Sequence, residues 1–359
     1  ESLDEKRAGY GARIGFDAVL NARDMRGEWD GWRMASERAV EFLDTAPQQP
    51  FLLQVGFSEP HGPFYDEPED ENPDYCLPPP VFPDTPETRK DMASYRRKIR
   101  LVDQRMGEVL DALERNNLAD HTLVIATTDH GIDFPEMKCT LKDYGTGVFL
   151  IMRMPRGTTD YPPGVFDTMV SHLDLVPTIC DMLGIFAPDW VEGASLLPLL
   201  RGEVGKLHDE LFSEVTYHAA YEPMRAIRTD RWKYIRRFDE ASTTVGQNRS
   251  MCRARDLWLE HGYNDRPVEH EQLYDLMFDP QEMCNLAGHP GYQPVKAEMA
   301  GKLRRWMEET DDPLMSGPVP LPVGGFTGRP GTIHPGAMEE KVPAEAWNRS
   351  ISWQGWEDA

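Results

Sequence analysis

"TLVIATTDHGIDFPEMKCTLKDYG", Thr122 to Gly145, decides how this chain is read. An apolar, β-branched run stops abruptly at Asp129-His130-Gly131, and Lys138 follows. "TLVIATT" has the character of a central strand covered on both faces, as in a parallel sheet. In such sheets ligands bind beyond the carboxyl ends of the strands. A carboxylate and an imidazole at that place can ligate a divalent cation, and Gly131 lets the backbone turn sharply. Lys138 adds a positive charge that can hold an anion. Each residue alone also has a plain structural reading: a loop acid capping a turn, a hydrogen-bonded histidine, a surface lysine.

The flanking sequence extends the same architecture. "GWRMASERAVEFLDT" (Gly31 to Thr45) spaces Trp32, Ala35, Ala39 and Phe42 three or four apart, which is an amphipathic helix ended by Pro47 and Pro50. "FLLQVGF" (Phe51 to Phe57) reads as a buried strand, with "SEPHGPF" as a tight loop at its end. His61, stiffened there between two prolines, is a candidate general acid. Residues 66 to 86, rich in Pro, Asp and Glu, read as an ordered surface loop. Met92, Tyr95, Ile99, Val102, Met106, Val109 and Leu113 then step at helical spacing, with Thr85 as cap, Pro86 in the first turn and Asn116-Asn117 at the end. "GVFLIMRMP" (Gly147 to Pro155) is a further strand, and "HLDLVPTICDMLGI" (His172 to Ile185) a helix with Pro177 near its start or at a kink.

Alternating apolar strands and helices define an α/β domain around a largely parallel sheet. His61 and Asp129 both lie just past strand ends, so they are expected to face a common cavity. After about Gly202 the pattern changes to "LFSEVTYH", "MRAIRTD", "RWKYIRRF" and "QLYDLMF", short strand-like segments followed by a helix at Val295 to Thr310. This is the pattern of a smaller antiparallel α+β domain, where His218 and Arg225 can line a pocket or serve the fold. From Asp312 to about Pro343, Pro and Gly dominate, as in an extended tail that wraps the surface. The expected division is residues 1–205, 206–311 and 312–359.

Bulk properties narrow the function. The 359 residues carry a net charge of −23, with 61 acidic against 38 basic residues. That excludes a nonspecific nucleic-acid binder, which needs a basic face. No apolar run reaches the length of a membrane span. Five cysteines, an odd number with no CxxC spacing, argue against a zinc ribbon or a disulfide framework. Asn248 and Asn348 sit in Asn-x-Ser patterns too common to carry weight.

Taken in order, "FLLQVGFSEPHGPF", "LVDQRMGEVLDALERNNLADHTLVIATTDHG", "TTDHGIDFPEMKCTLKDYGTGVFLIMRMPRG", "VSHLDLVPTICDMLGI", "EGASLLPLLRGE", "PMRAIRTDRWKYIRRF" and "LYDLMFDPQEMCNLA" resemble the sulfatase family of the alkaline-phosphatase-like superfamily. They are most similar to its N-sulfoglucosamine sulfohydrolase group, over about residues 30 to 315. The resemblance implies an alkaline-phosphatase-like sandwich with a largely parallel central sheet, plus a smaller C-terminal α+β domain. It gives Asp129 and His130 the role of the second pair of metal ligands, Lys138 that of the residue gripping the sulfate oxygens, and His61 that of the leaving-group acid. It implies a sulfated carbohydrate substrate, cut at an N-sulfoglucosamine or a sulfate ester. It also implies one divalent metal, calcium first and manganese or zinc as alternatives, because His130 offers nitrogen where many relatives have Asn. The family's nucleophile is a formylglycine made from a Cys/Ser-x-Pro-x-Arg motif. Cys76 in "CLPPP" comes nearest but has Pro80 at the arginine position, and Ser58 fails at the same place. The family's first pair of aspartates and its Lys-x-His segment are likewise absent from these residues. The chain opens at "ESLDEKRAGYG" without Met or a signal core, so the expectation is an N-terminally truncated sulfatase holding roughly half of the site. A phosphonate monoester or phosphodiester hydrolase on the same fold, and a non-catalytic glycan-binding relative, are the alternatives.

Overall fold

The computed structural model describes residues 16–18, 31–158, 160–329 and 341–356. They fall into two compact units: residues up to 78, 84–126 and 151–158 in one, and 79–83, 127–150 and 159 onward in the other.

The first unit is built on two helices, α1 (Gly31–Asp44) and α2 (Pro86–Arg115). Thr85 caps α2 in a reciprocal capping box with Thr88, Pro86 stands in the first turn, and Asn116 closes it. The helical spacing read from the sequence holds along the whole length, but the buried face does not. In the N-terminal half the buried residues are Thr88, Asp91, Ala93 and Ser94, while Ile99 is exposed. Thr88 there bonds back to Thr85 in the cap, and Ser94 Oγ donates to Asp66 of the acidic loop. At the C-terminal end Ala112 and Leu113 join Leu43, Leu118 and Ala119 in an apolar cluster.

"FLLQVGF" departs from expectation. Among the described residues it joins no sheet. Phe51 packs edge-on against Phe42 at 5.5 Å and Leu53 reaches the same cluster, whereas Leu52 is 76% exposed. The alternation of an extended chain is present, but no ladder is, so the run is a half-buried extended segment. Strands β1 (Val124–Thr127) and β2 (Leu150–Arg153) pair with each other in a two-stranded sheet. With only one neighbour each among the described residues, they are half-buried, and Ile151 is 64% exposed.

In the second unit, helix α3 (Leu175–Leu183) follows a 3-10 turn capped by Ser171 and ends at Gly184, whose φ of 67° suits glycine. Pro177 sits in its first turn, where an absent N–H leaves no bond unmade. Strands β3 (Glu210–Tyr217), β4 (Tyr221–Thr229), β5 (Trp232–Arg237) and β6 (Glu271–Asp275) form one antiparallel sheet in that order, as expected from the sequence. The excursion between β5 and β6 carries α4 (Arg253–Glu260).

Each face of this sheet has its own core. On one, α5 (Gln293–Glu309) sets Met299, Leu303 and Met307 against Ile227, Tyr234 and Leu273. Each fully buried side chain of this kind contributes about 1.5–3 kcal/mol. The tail seals that core: Leu314 is buried in it, Trp353 donates to the Leu314 carbonyl at 2.9 Å, and Trp356 meets Phe238 edge-on. The tail's short strands β7 (Phe326–Gly328) and β8 (Lys341–Pro343) pair with each other. On the other face Met224, Ala226, Ile235 and Tyr274 receive Leu141. That contact seats the Asp129–Gly147 loop on the sheet.

Candidate active site

The loop after β1 is fixed by its own backbone. Gly131 N–H donates to the Gly145 carbonyl at 2.9 Å and Ile132 N–H to that of Tyr144 at 3.2 Å, closing the two ends together. A Cβ on Gly131 would lie 2.0 Å from the Tyr144 oxygen, and one on Gly145 2.2 Å from that of Met137. Neither position admits another residue without moving the chain. Phe134 and Met137 are buried, with Phe134 edge-on to Phe82 at 5.7 Å. Glu136 (φ 60°) and Cys139 (φ 63°) hold left-handed backbone close to Lys138 on either side. Such conformations persist only where the surroundings over-determine them, and they gather at functional sites.

At the mouth of this loop Asp129 is exposed and His130 half-buried, with His130 Nε2 3.8 Å from Asp129 Oδ1. His130 Nδ1 lies 2.8 Å from the Gly131 carbonyl oxygen. A carbonyl only accepts, so Nδ1 carries the proton and the neutral ring keeps its lone pair on Nε2. A hydrogen bond of this kind, made by the ring nitrogen that faces away from the metal, orients a metal-binding histidine. One carboxylate oxygen and one imidazole nitrogen therefore suit two places in the shell of a divalent cation. Among the described residues no group of three or more His, Cys, Asp or Glu gathers as a metal site.

Lys138 is buried on the same loop, its N–H donating to the Ile132 carbonyl at 3.1 Å and its Nζ 3.6 Å from Asp133 Oδ1. Ser250, from the β5–β6 excursion, donates to Asp133. Behind this pair lies a buried charge network. Burial pushes Glu136 upward, but Lys142, Arg249 and the Tyr263 hydroxyl outweigh it and hold its carboxyl at about 2. Arg249 also donates to Glu222 at 3.1 Å, and Glu222 receives Arg237 at 2.9 Å. Burial raises the Cys139 thiol to about 11, against the pull of Arg249 and Lys138, so it stays protonated and poorly nucleophilic. On the far side of the loop Asp143 receives Arg228 at 3.1 Å and Lys233 as well. Burial alone would raise its carboxyl, and these two cations hold it low.

His61 belongs to the first unit. Its ring is exposed, and Nδ1 lies 3.0 Å from the Gly62 carbonyl oxygen. The structure thus brings Asp129 and His130 together, puts Lys138 on their loop, and places His61 in the other compact unit. His218 is exposed in the β3–β4 turn. Arg225 is 1% exposed. Its guanidinium donates to Asp312, to the Val215 carbonyl at 3.1 Å and to the Met224 carbonyl at 2.9 Å. This environment gives Arg225 a structural task, joining the sheet to the start of the tail, in place of the pocket-lining one. Sequence reasoning missed Asp133, Glu136, Glu222, Arg249 and Ser250. Their one trace was Asn248, set aside as part of an Asn-x-Ser pattern too common to carry weight; it is buried and donates to Glu222 at 2.9 Å.

Comparison with known proteins adds a frame. The family model described as "Sulfatase" matches residues 33–185, and that described as "N-sulphoglucosamine sulphohydrolase, C-terminal" matches residues 138–245. An ulvan-active sulfatase of Formosa agariphila is 29% identical over 285 residues, covering 77% of this chain and 55% of the relative. The N-sulphoglucosamine sulphohydrolase of Homo sapiens is 29% identical over 329 residues, covering 77% and 64%. The chain therefore spans a little over half of the first relative's length and under two thirds of the second's. Among solved structures, a 2-O GAG sulfatase superposes with a TM-score of 0.57 at 22% identity, covering 84% of this chain and 68% of that one. The shared fold is that of the alkaline-phosphatase-like sulfatases.

Proposed function

The chain belongs to the sulfatase family, and on that premise we propose that it forms the metal- and anion-binding part of a hydrolase that removes sulfate from a sulfated sugar. The substrate is an N-sulfoglucosamine or a sugar sulfate ester, and the nucleophile is a formylglycine that none of these 359 residues supplies. The observation that carries the reading is the pairing, on one loop, of Asp129 and a His130 whose Nε2 holds the lone pair with a buried, loop-fixed Lys138. A divalent cation held by Asp129 and His130, calcium first, would supply charge stabilisation for the sulfuryl oxygens. Lys138 brings a second positive charge to the same group in a partly dry setting, where it acts more strongly than in water. His61, with its proton on Nδ1 in the neutral ring, gains a second on Nε2 when protonated and can pass it to the departing oxygen or nitrogen.

His130 also supports a second reading. Nitrogen ligation suits manganese or zinc better than calcium, and with them a phosphonate monoester or phosphodiester hydrolase. Calorimetry of the chain with N-sulfoglucosamine, glucosamine and a phosphonate monoester, each with calcium or manganese, separates the two. The sulfatase reading expects binding of the sulfated sugar alone, lost in Lys138→Ala. Preference for the phosphonate ester with manganese favours the second reading. Equal binding of sulfated and unsulfated sugar removes both.

A further inference from the structure

We propose that Lys98 is a positioning residue that sets the tautomer of the His61 imidazole. This rests on the general-acid role given to His61 above. Helix α2 presents Tyr95 and Lys98, one turn apart, to the loop that carries the histidine. Phe64 is fully buried and meets Tyr95 edge-on at 5.8 Å, which anchors the loop to the helix. The Lys98 ammonium stands 5.2 Å over the same Phe64 ring. It donates to the His61 carbonyl at 3.1 Å and to the Pro63 carbonyl at 2.8 Å. The carbonyl between those two, that of Gly62, faces His61 Nδ1 at 3.0 Å.

Three successive carbonyls are therefore committed. The outer two point to one ammonium, and that fixes the peptide planes on either side of the Gly62–Pro63 peptide, which carries the middle carbonyl. The middle one is left facing the ring. Because it can only accept, it selects the Nδ1–H form and puts the lone pair of the neutral ring on Nε2. Removing the ammonium takes away the one donor shared by both outer carbonyls, and the bearing of the Gly62 oxygen on the ring loosens. The lysine itself need touch no substrate. It acts through three backbone groups on which ring nitrogen exchanges protons.

The test is the nitrogen-15 NMR spectrum of the imidazoles in the full chain above the histidine titration range, where the rings are neutral. The His61 signals are assigned by their loss in His61→Asn. The wild-type ring is expected to be mainly Nδ1–H, and an Nε2–H majority there overturns the proposal before any lysine variant is made. Lys98→Met is expected to shift the population toward Nε2–H with the far-UV spectrum of α2 retained. Lys98→Arg, which can still donate to two carbonyls, is expected to keep the wild-type ring. An unchanged ring in Lys98→Met, or the same change in Lys98→Arg, overturns it. If Lys98→Met does not fold, Lys98→Gln takes its place with the same reading. No turnover is measured, so a failure here leaves the sulfatase reading standing, and a failed sugar-binding test leaves the tautomer measurement intact.

Discussion

Two loops carry the candidate chemistry, and they are held in opposite ways. The Asp129–Gly147 loop is fixed from within: its ends hydrogen-bond to each other, two glycines leave no room for a Cβ, and a buried ion network backs Lys138. The Ser58–Tyr65 loop is fixed from outside, by one half-buried lysine and one buried phenylalanine. A metal and anion site benefits from rigid placement, because charge stabilisation falls quickly with misplacement. A group that exchanges protons can stand in water, provided its ring is oriented.

The sharpest way to break this contrast is a pair of glycine substitutions. In Gly131→Ala the new methyl meets the Tyr144 carbonyl, so the loop must open, and the loss of metal binding is expected to be complete. Unfolding stability is expected to fall by about 3 kcal/mol or more. Gly56→Ala, on the segment leading to His61, meets nothing within 4 Å and is expected to change stability by less than about 0.5 kcal/mol. Urea denaturation and metal titration of the two variants check both statements, and equal losses in the two would contradict the contrast.

Next in size is the ion network. Arg249→Met removes a cation shared by Glu136 and Glu222. Breaking a buried pair from one side costs about 3–5 kcal/mol. Arg237 still faces Glu222 at 2.9 Å, which places the expected loss near the lower end. The same network has a pH signature. Glu136 is held at about 2 in the folded chain, below its ordinary 4.5. A depressed carboxyl stabilises the fold above the unfolded value and loses that contribution as the pH falls from 4.5 toward 2. The contribution is bounded by about 3 kcal/mol. Wild type minus Glu136→Gln, measured by denaturation from pH 7 to pH 3, is expected to narrow across that window. A difference that stays flat there contradicts the buried pairing.

How much of this was legible in the sequence follows the same division. The DHG turn, the capping of α2 and the four antiparallel strands are local patterns of residue type and spacing, and the structure repeats them. "FLLQVGF" misled because a buried strand and a half-covered extended run share their alternation, and only pairing partners tell them apart. The face of α2 misled because Thr88 and Ser94 are buried while hydrogen-bonded, which apolar spacing does not record. Arg249, Glu222 and Glu136 were invisible for a deeper reason: they lie far apart in the chain, and only the sheet brings their charges together. Arg225 stayed open between a pocket and a fold role because a strand arginine carries no mark of which face it occupies.

The smallest expected effect lies on the outer loop, where the contrast can be sharpened. Residues 66–74 are strapped to α2 by ion pairs, those to Asp70 in solvent and those to Glu71 against a buried carboxylate. Arg97 and Arg100 both reach Asp70, at 3.3 and 3.1 Å, across side chains 37–51% exposed. Exposed pairs of this kind contribute about 0.2–1 kcal/mol and fade with salt. A double-mutant cycle of Arg97→Ala with Asp70→Ala is therefore expected to give a coupling below about 1 kcal/mol at low salt and nothing measurable at about 1 M, where the Debye length is about 3 Å. The Arg249 loss should largely survive the same salt, since its partner Glu222 is buried away from mobile ions. If the Asp70 coupling instead matched the Arg249 loss and resisted salt, the strap would be a rigid element. The His61 loop would then owe its placement to the whole acidic segment, more than to Lys98 and Phe64.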